Sequence, residues 1–233
     1  MKKNIIKFIE ANKIIFSIFL VAVVIIISYI LTMDFPELFD GAEEWYNLFF
    51  QLSIGYIINF IFYITQVYIP NIKKEVKINK CISARINSII DHMKSVFAQL
   101  AIQYVPNYHG GTLSADDLKL LLNLNFEDHV QVQDASRSSP TKPVYFTVRQ
   151  WLLKCMRDTE NDIDRLYRYY SPYISVSLME TLEKILNSTY HSTMKVFLSI
   201  PNGVNFSKCN DNYFLPYYEL IEELEKVKQE EYE

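Results

Sequence analysis

The sequence predicts an all-α protein, built as a two-helix transmembrane hairpin followed by a cytoplasmic helical bundle. Three observations carry that expectation. Two long stretches lack charge altogether, the charges that flank them are segregated by sign, and most of the remaining chain repeats its apolar residues at three and four. Between Ile14 and Met33, and again from Trp45 through Ile72, there is no Asp, Glu, Lys or Arg. At about 1.5 Å per helical residue, roughly 20 residues cross a hydrocarbon core of ~30 Å. Both stretches are long enough.

The first span, 14–33, is almost purely aliphatic, whereas a soluble helix of that length carries a polar face. Met1-Lys2-Lys3 resembles the charged start of a secretion signal. The apolar run nevertheless exceeds the ~7–15 residues of a signal's core, and Thr32-Met33-Asp34-Phe35-Pro36 offers no small-residue cleavage site. It therefore reads as an anchor. The second span, 45–70, returns the chain, since a pair of helices satisfies every backbone group inside lipid. The tail 1–13 carries Lys2, Lys3, Lys7 and Lys13 against Glu10. The external loop 34–44 carries Asp34, Glu37, Asp40, Glu43 and Glu44 and no base. Lys73, Lys74, Lys77 and Lys80 follow the second span. Basic short flanks stay inside, so both termini are expected in the cytoplasm. Trp45, Tyr46 and Tyr68 suit the aromatic belt at the membrane surfaces.

A stalk helix, 71–105, is predicted next. Ile78, Ile82, Ile86, Ile89, Met93, Phe97 and Leu100 follow an 11-residue pattern that favours a nearly straight packing seam, and Ile90, Val96 and Ala101 widen it. Pro106 and Gly110-Gly111 end it. The helical domain 106–233 opens with a short helix capped by Ser114 and Asp117, burying Leu118, Leu121 and Leu122. From Asn125 to Lys142 the periodicity dissolves, and the alternation of Val130 and Val132 is a weak strand signal. A helix over 144–170 is expected to bury Tyr145, Val148, Leu152, Cys155, Ile163, Leu166 and Tyr170. Another spans 174–199, and a terminal helix places Tyr217, Leu220, Ile221, Leu224 and Val227 on one side. This makes a bundle of about five helices. Cys81, Cys155 and Cys209 are too scattered, in a reducing compartment, to read as anything but free thiols.

The polar residues of the second span form the first candidate site. Gln51, Gly55 and Asn59 recur every four residues, and Gln66 falls seven further on. Amides in hydrocarbon need partners, and small residues let helices approach closely. The first span offers only Ser17, Ser28 and Tyr29. Packing within the hairpin, association between copies and a water-lined path all remain open at this stage. The Lys73, Lys74, Lys77 and Lys80 cluster, with Arg85 behind it, sets topology and is placed to meet anionic headgroups. Arg165, Tyr167, Arg168 and Tyr169 form a candidate partner contact, although core packing is the plainer account.

An enzyme is not expected. His92, His109, His129 and His191 are far apart, and no metal-ligand pairing, phosphate loop or nucleophile elbow is present. His109-Gly110-Gly111 reads as a turn. Asp158, Glu160, Asp162 and Asp164, at spacings of two on a helix, read as a solvated face rather than a metal site. No cofactor is implied. The 19 bases and 21 acids of residues 71–233 leave no basic footprint, so direct sequence-specific nucleic-acid binding is not expected.

The two apolar spans, the short acidic loop, and the run Leu52-Ser53-Ile54-Gly55-Tyr56-Ile57 continuing to Tyr68-Ile69-Pro70 ahead of a helical domain resemble small bacterial membrane effectors. In particular, the chain resembles the two-transmembrane effectors of retron anti-phage systems. The resemblance covers the membrane half best. It implies abortive infection: a toxin held silent by a reverse transcriptase–multicopy single-stranded DNA complex, which damages the inner membrane on release. The expected partners are therefore the lipid bilayer, further copies of the chain and that complex. A passive adaptor that tethers a cytosolic partner, or a membrane-bound enzyme with an unrecognised site, would share the same plan.

Overall fold

The computed structural model describes residues 8–10, 12–32, 39–199 and 213–232. The chain is mostly helical and divides into two units, Met1–Val76 and Lys77–Glu233.

In the first unit, α1 (Lys13–Thr32) and α2 (Ala42–Phe62) form an antiparallel hairpin. Gly41 enters α2 at φ 83°, a left-handed conformation that glycine adopts without strain. Glu43 and Glu44 then place negative charge against the positive end of the helix dipole. The seam is aromatic. Phe19 stacks on Phe60 and Tyr29 on Phe50, each with centroids 4.4 Å apart. Hydroxyls cross it at three levels: Tyr29 Oη donates to Asn47 Oδ1 at 2.8 Å, Tyr56 Oη to the Ile15 carbonyl at 2.7 Å, and Tyr63 Oη to Asn12 Oδ1 at 2.9 Å. The helix does not stop at Phe62. A π turn covers Tyr63–Tyr68, and α3 runs from Ile69 to Tyr104. Pro70 therefore lies inside helix. It has no N–H to donate, and its ring crowds the carbonyl four residues back, a conflict that a widened turn just upstream relieves.

In the second unit, the predicted stripe of α3 is buried from Ile82 through Leu100, with Ile78 half-buried at its start. The helix ends beyond Tyr104, where Asn107 (φ 59°), Gly110 and Gly111 adopt left-handed conformations. A short helix, α4 (Ala115–Leu120), carries the expected cap: Ser114 accepts from the Asp117 N–H and the Asp117 carboxylate accepts from the Ser114 N–H. Two strands then depart from the all-α expectation. β1 (His129–Gln133) pairs antiparallel with β2 (Tyr145–Thr147), in register His129 with Thr147 and Gln133 with Tyr145 and an irregularity between. Thr147 ends the hairpin and caps the next helix, α5 (Val148–Tyr170), in a reciprocal box with Gln150. Tyr145 is thus an exposed strand residue rather than the first buried helical one.

The expected helix 174–199 is two helices. α6 (Val176–Leu186) ends at Asn187, and α7 (Thr189–Ser199) starts beside Ser188, whose hydroxyl accepts from the His191 N–H. α8 (Phe214–Glu231) packs on α6 and buries Tyr217, Ile221 and Leu224. The side chains of Phe197 and Leu198, and Cys209, lie outside the described residues. So do Lys2, Lys3, Lys7, Asp34 and Glu37. Cys81 and Cys155 are free thiols, and burial pushes Cys155 up to about 11, keeping it protonated and inert.

Candidate functional site

The hairpin seam is drawn from Ser53, Tyr56 and Phe60 of α2 and Tyr63 at the start of the π turn, at spacings of three, four and three. Gln51, Gly55 and Asn59 fall about a third of a turn away, as 3.6 residues per turn requires. Gln51, Asn59 and Gln66 are exposed, and their amides meet no hydrogen-bonding partner among the described residues. Gly55 is half-buried, and a Cβ there would touch nothing within 4 Å. Among the described residues, the amides of this stripe therefore make no hydrogen bond to the first helix of the same chain. The seam closes instead through tyrosine hydroxyls and stacked rings.

Gln66 is carried by a different kind of turn from the other three. Its spacing of seven from Asn59 assumes an α-helix throughout, whereas it lies inside the π turn, where each residue advances less about the axis. The turn has a visible cause on the seam side. Tyr63 bonds Asn12, and Tyr68 meets Phe8 edge-on at 4.5 Å. Those two tyrosines are five residues apart, a spacing that places them together only when the helix widens.

The apolar hairpin is otherwise inside out. Only 6% of the most apolar window of α1, and 11% of that in the longer helix, is buried. Ile14, Val21, Val24, Leu31, Leu52 and Phe62 are all more than half exposed. Both helices are long and apolar enough to cross a membrane.

The basic residues divide. Lys73, Lys74, Lys77 and Lys80 are exposed, and Lys73, Lys77 and Lys80 have no ion-pair partner among the described residues. Arg85 does not stand behind them as a further surface charge. Its guanidinium turns inward to Asp162 Oδ1 at 2.7 Å. Asp162 also accepts from Ser88 Oγ at 2.5 Å and lies 3.4 Å from His92 Nε2. This corrects the reading of the acidic run as a solvated face. Asp164 is exposed and pairs with Arg168, but the Asp162 side chain is only 6% exposed. A buried carboxylate persists because Arg85 and Ser88 of α3 both donate to it.

The candidate contact of Arg165, Tyr167, Arg168 and Tyr169 is not one surface. Tyr169 is exposed, and Arg165 reaches Asp162 at 3.7 Å. Tyr167 is half-buried and donates to the Met179 carbonyl at 3.3 Å, with burial raising its phenol. A second polar cluster was not anticipated. His191 is fully buried, with Nε2 3.2 Å from Tyr217 Oη and Nδ1 3.5 Å from Glu160 Oε1, which Lys195 also meets at 2.5 Å. Burial lowers His191 to about 4, against the opposing pull of Glu160, so the ring is neutral near pH 7. Tyr190 stacks on Tyr217 at 4.1 Å. Nothing in the spacing of these residues along the chain brings them together; the signal lies in the fold.

No protein-family model, curated protein or solved structure matches the chain.

Proposed function

We propose that this chain is a bacterial inner-membrane effector of an abortive-infection system, acting by self-association of its hairpin. The hairpin spans the bilayer twice with both termini in the cytoplasm, and α2 helices of several copies meet through Gln51, Gly55 and Asn59. Water admitted along the amides gives an ion leak that depolarises the membrane. The action requires no covalent chemistry and no cofactor. Residues 77–233 act as the receiver of a restraint. By its resemblance to retron effectors, that restraint is a reverse transcriptase–multicopy single-stranded DNA complex, and the toxin is released when infection disturbs it.

The carrying observation is the outward placement of unpaired amides on a hairpin that leaves most of its apolar surface uncovered. Exposed apolar surface on this scale needs lipid or protein to cover it. Within lipid, an unpaired amide favours a partner helix, a bond worth ~0.6–2 kcal/mol. The lysines that follow suit the inner surface, where each contributes about 1 kcal/mol of headgroup attraction.

Asn59→Leu, expressed in bacteria beside the wild type, tests the reading. We expect membrane insertion unchanged, and toxicity and the response of a potential-sensitive dye lost. A fully toxic variant would overturn the leak mechanism. A wild-type chain that inserts without depolarising would favour the adaptor. A C-terminal tag labelled from outside intact cells would overturn the topology.

A further inference from the structure

Among the described residues of the second unit, exposed large apolar side chains are scattered, at Ile102, Leu120, Tyr145 and Val196, except at one turn. There Tyr169, Tyr173 and Val176 fall together, at 66%, 41% and 68% exposure, around the reversal Ser171–Tyr173 that joins α5 to α6. The backbone of the reversal is held from within. The Ile174 N–H donates to the Tyr170 carbonyl at 3.2 Å, the Ser175 N–H donates to Tyr232 Oη at 2.9 Å, and Ile174 itself is buried. Helix pairing places the turn within the unit. Cys155 meets Ser95 at 3.6 Å, while Asp162 meets Ser88 and Arg85, so α5 runs antiparallel to α3. At ~1.5 Å per residue in both helices, Tyr169 comes level with the stretch of α3 around Cys81. The turn therefore lies at the end of the unit where the chain enters it, the end that carries Lys77 and Lys80. Both lysines are exposed, with no ion-pair partner among the described residues.

We infer that the turn 169–176, together with Lys77 and Lys80, is a docking face for the anionic surface of the inner leaflet. Lys77 follows Ile72, the last residue of the second uncharged stretch, by at most ~18 Å of chain even when fully extended. This end of the second unit is therefore tethered near the surface from which the hairpin emerges, whatever angle the two units adopt. The rings of Tyr169 and Tyr173 seat at headgroup level, as amphipathic aromatics do, with Val176 beside them. The lysines meet the lipid phosphates. Lipid is favoured over a protein partner because the tether raises its effective concentration and because unpaired cations accompany interfacial aromatics. Glu231, which accepts from Ser177 Oγ at the same end, opposes the attraction. The inference rests on the hairpin spanning the bilayer, as proposed above, and adds that the second unit is held down on the membrane rather than hanging from it.

The test is an environment-sensitive dye on Val176→Cys in the full-length chain, reconstituted in phosphatidylglycerol nanodiscs that carry nitroxide lipid. Cys81 and Cys209 are replaced by serine; Cys155 is buried and stays unlabelled. The reference site is Lys119→Cys on α4, which packs near the start of α8 and so at the far end of the unit from Tyr232. Dye at 176 should be quenched and blue-shifted, and dye at 119 should not. Lys77→Gln and Lys80→Gln should each lower the ratio of docked to undocked chain by about fivefold, with Lys73 and Lys74 left to hold the topology. Tyr169→Ser and exchange of the lipid for phosphatidylcholine should lower it as well, whereas Glu231→Gln should raise it. No quenching at 176 in a chain that inserts, equal quenching at both sites, or quenching indifferent to all of these changes overturns the docking face. Disulfide-linked dimers through unlabelled Val176→Cys, without quenching of the dye, assign the face to a second copy and overturn docking on lipid. A chain that carbonate washing strips from vesicles overturns the hairpin reading instead.

Discussion

The two units of this chain solve the problem of polar groups in opposite ways. In residues 77–233 the apolar side chains are inside, and polar groups that go in with them are gathered in clusters: Asp162 with Arg85 and Ser88, and His191 with Tyr217. In the hairpin the apolar side chains are outside, the seam spends its tyrosine hydroxyls on partners within the chain, and the amides of Gln51 and Asn59 face outward unanswered. The second unit takes polar groups into its interior, and one of them, Tyr190 Oη, meets no hydrogen-bonding partner among the described residues. The hairpin leaves its amides at the surface, where the proposed association would meet them.

The sharpest way to break this contrast is to make the same kind of truncation in both units. Leu182→Ala, at a fully buried position, should cost about 2–5 kcal/mol, read as a lowered urea midpoint for the second unit in detergent. Val24→Ala, at an exposed position of α1, should cost less than about 0.5 kcal/mol. Comparable losses would mean that the hairpin hides a core of its own. Next in size is Arg85→Ala, which leaves the Asp162 carboxylate short of its main counter-charge. Because Arg85 is itself a third exposed, about 2–3 kcal/mol is expected rather than the full cost of a buried pair.

Acidity should separate the units further. The folded pKa of His191 lies below its unfolded value of about 6.5, so its contribution is fully present above that pH and lost as pH falls toward about 4. The second unit should therefore weaken by at most about 2 kcal/mol between pH 7 and pH 5, and His191→Gln should flatten that slope. Smallest of all, Tyr56→Phe should cost the seam about 1 kcal/mol, measured as a modest drop in the thermal midpoint of the hairpin in micelles.

Much of the fold was legible because it obeys a period. The α3 stripe from Ile82 to Leu100, the Ser114 cap and the apolar face of α8 were all read from spacing alone. Of the β-hairpin only the first strand is signalled, and weakly, because just two valines, Val130 and Val132, alternate with polar residues; the second strand, Tyr145–Thr147, reads as the start of the helix that follows it. The break between α6 and α7 has neither Gly nor Pro; its only signal was Ser188 as a cap. Asp162 and His191 could not be placed because their partners lie far away in sequence, at Arg85 and Tyr217. At the candidate site, the residues of the stripe were readable but their direction was not. The π turn was written in the five-residue step from Tyr63 to Tyr68 and in Pro70, yet that step has meaning only once Phe8 and Asn12 are known to face it.

The hydroxyls of Tyr29, Tyr56 and Tyr63 each reach across to the first helix at a different height. Sliding one helix along the other by a single turn would break all three at once, and the stacked rings with them. Neighbouring molecules therefore have little to gain by trading first helices, and crowding in a bilayer should not scramble them. In the proposed assembly each hairpin would enter as a rigid stave, and a ring of such staves would be sized by the shape of their outer flanks.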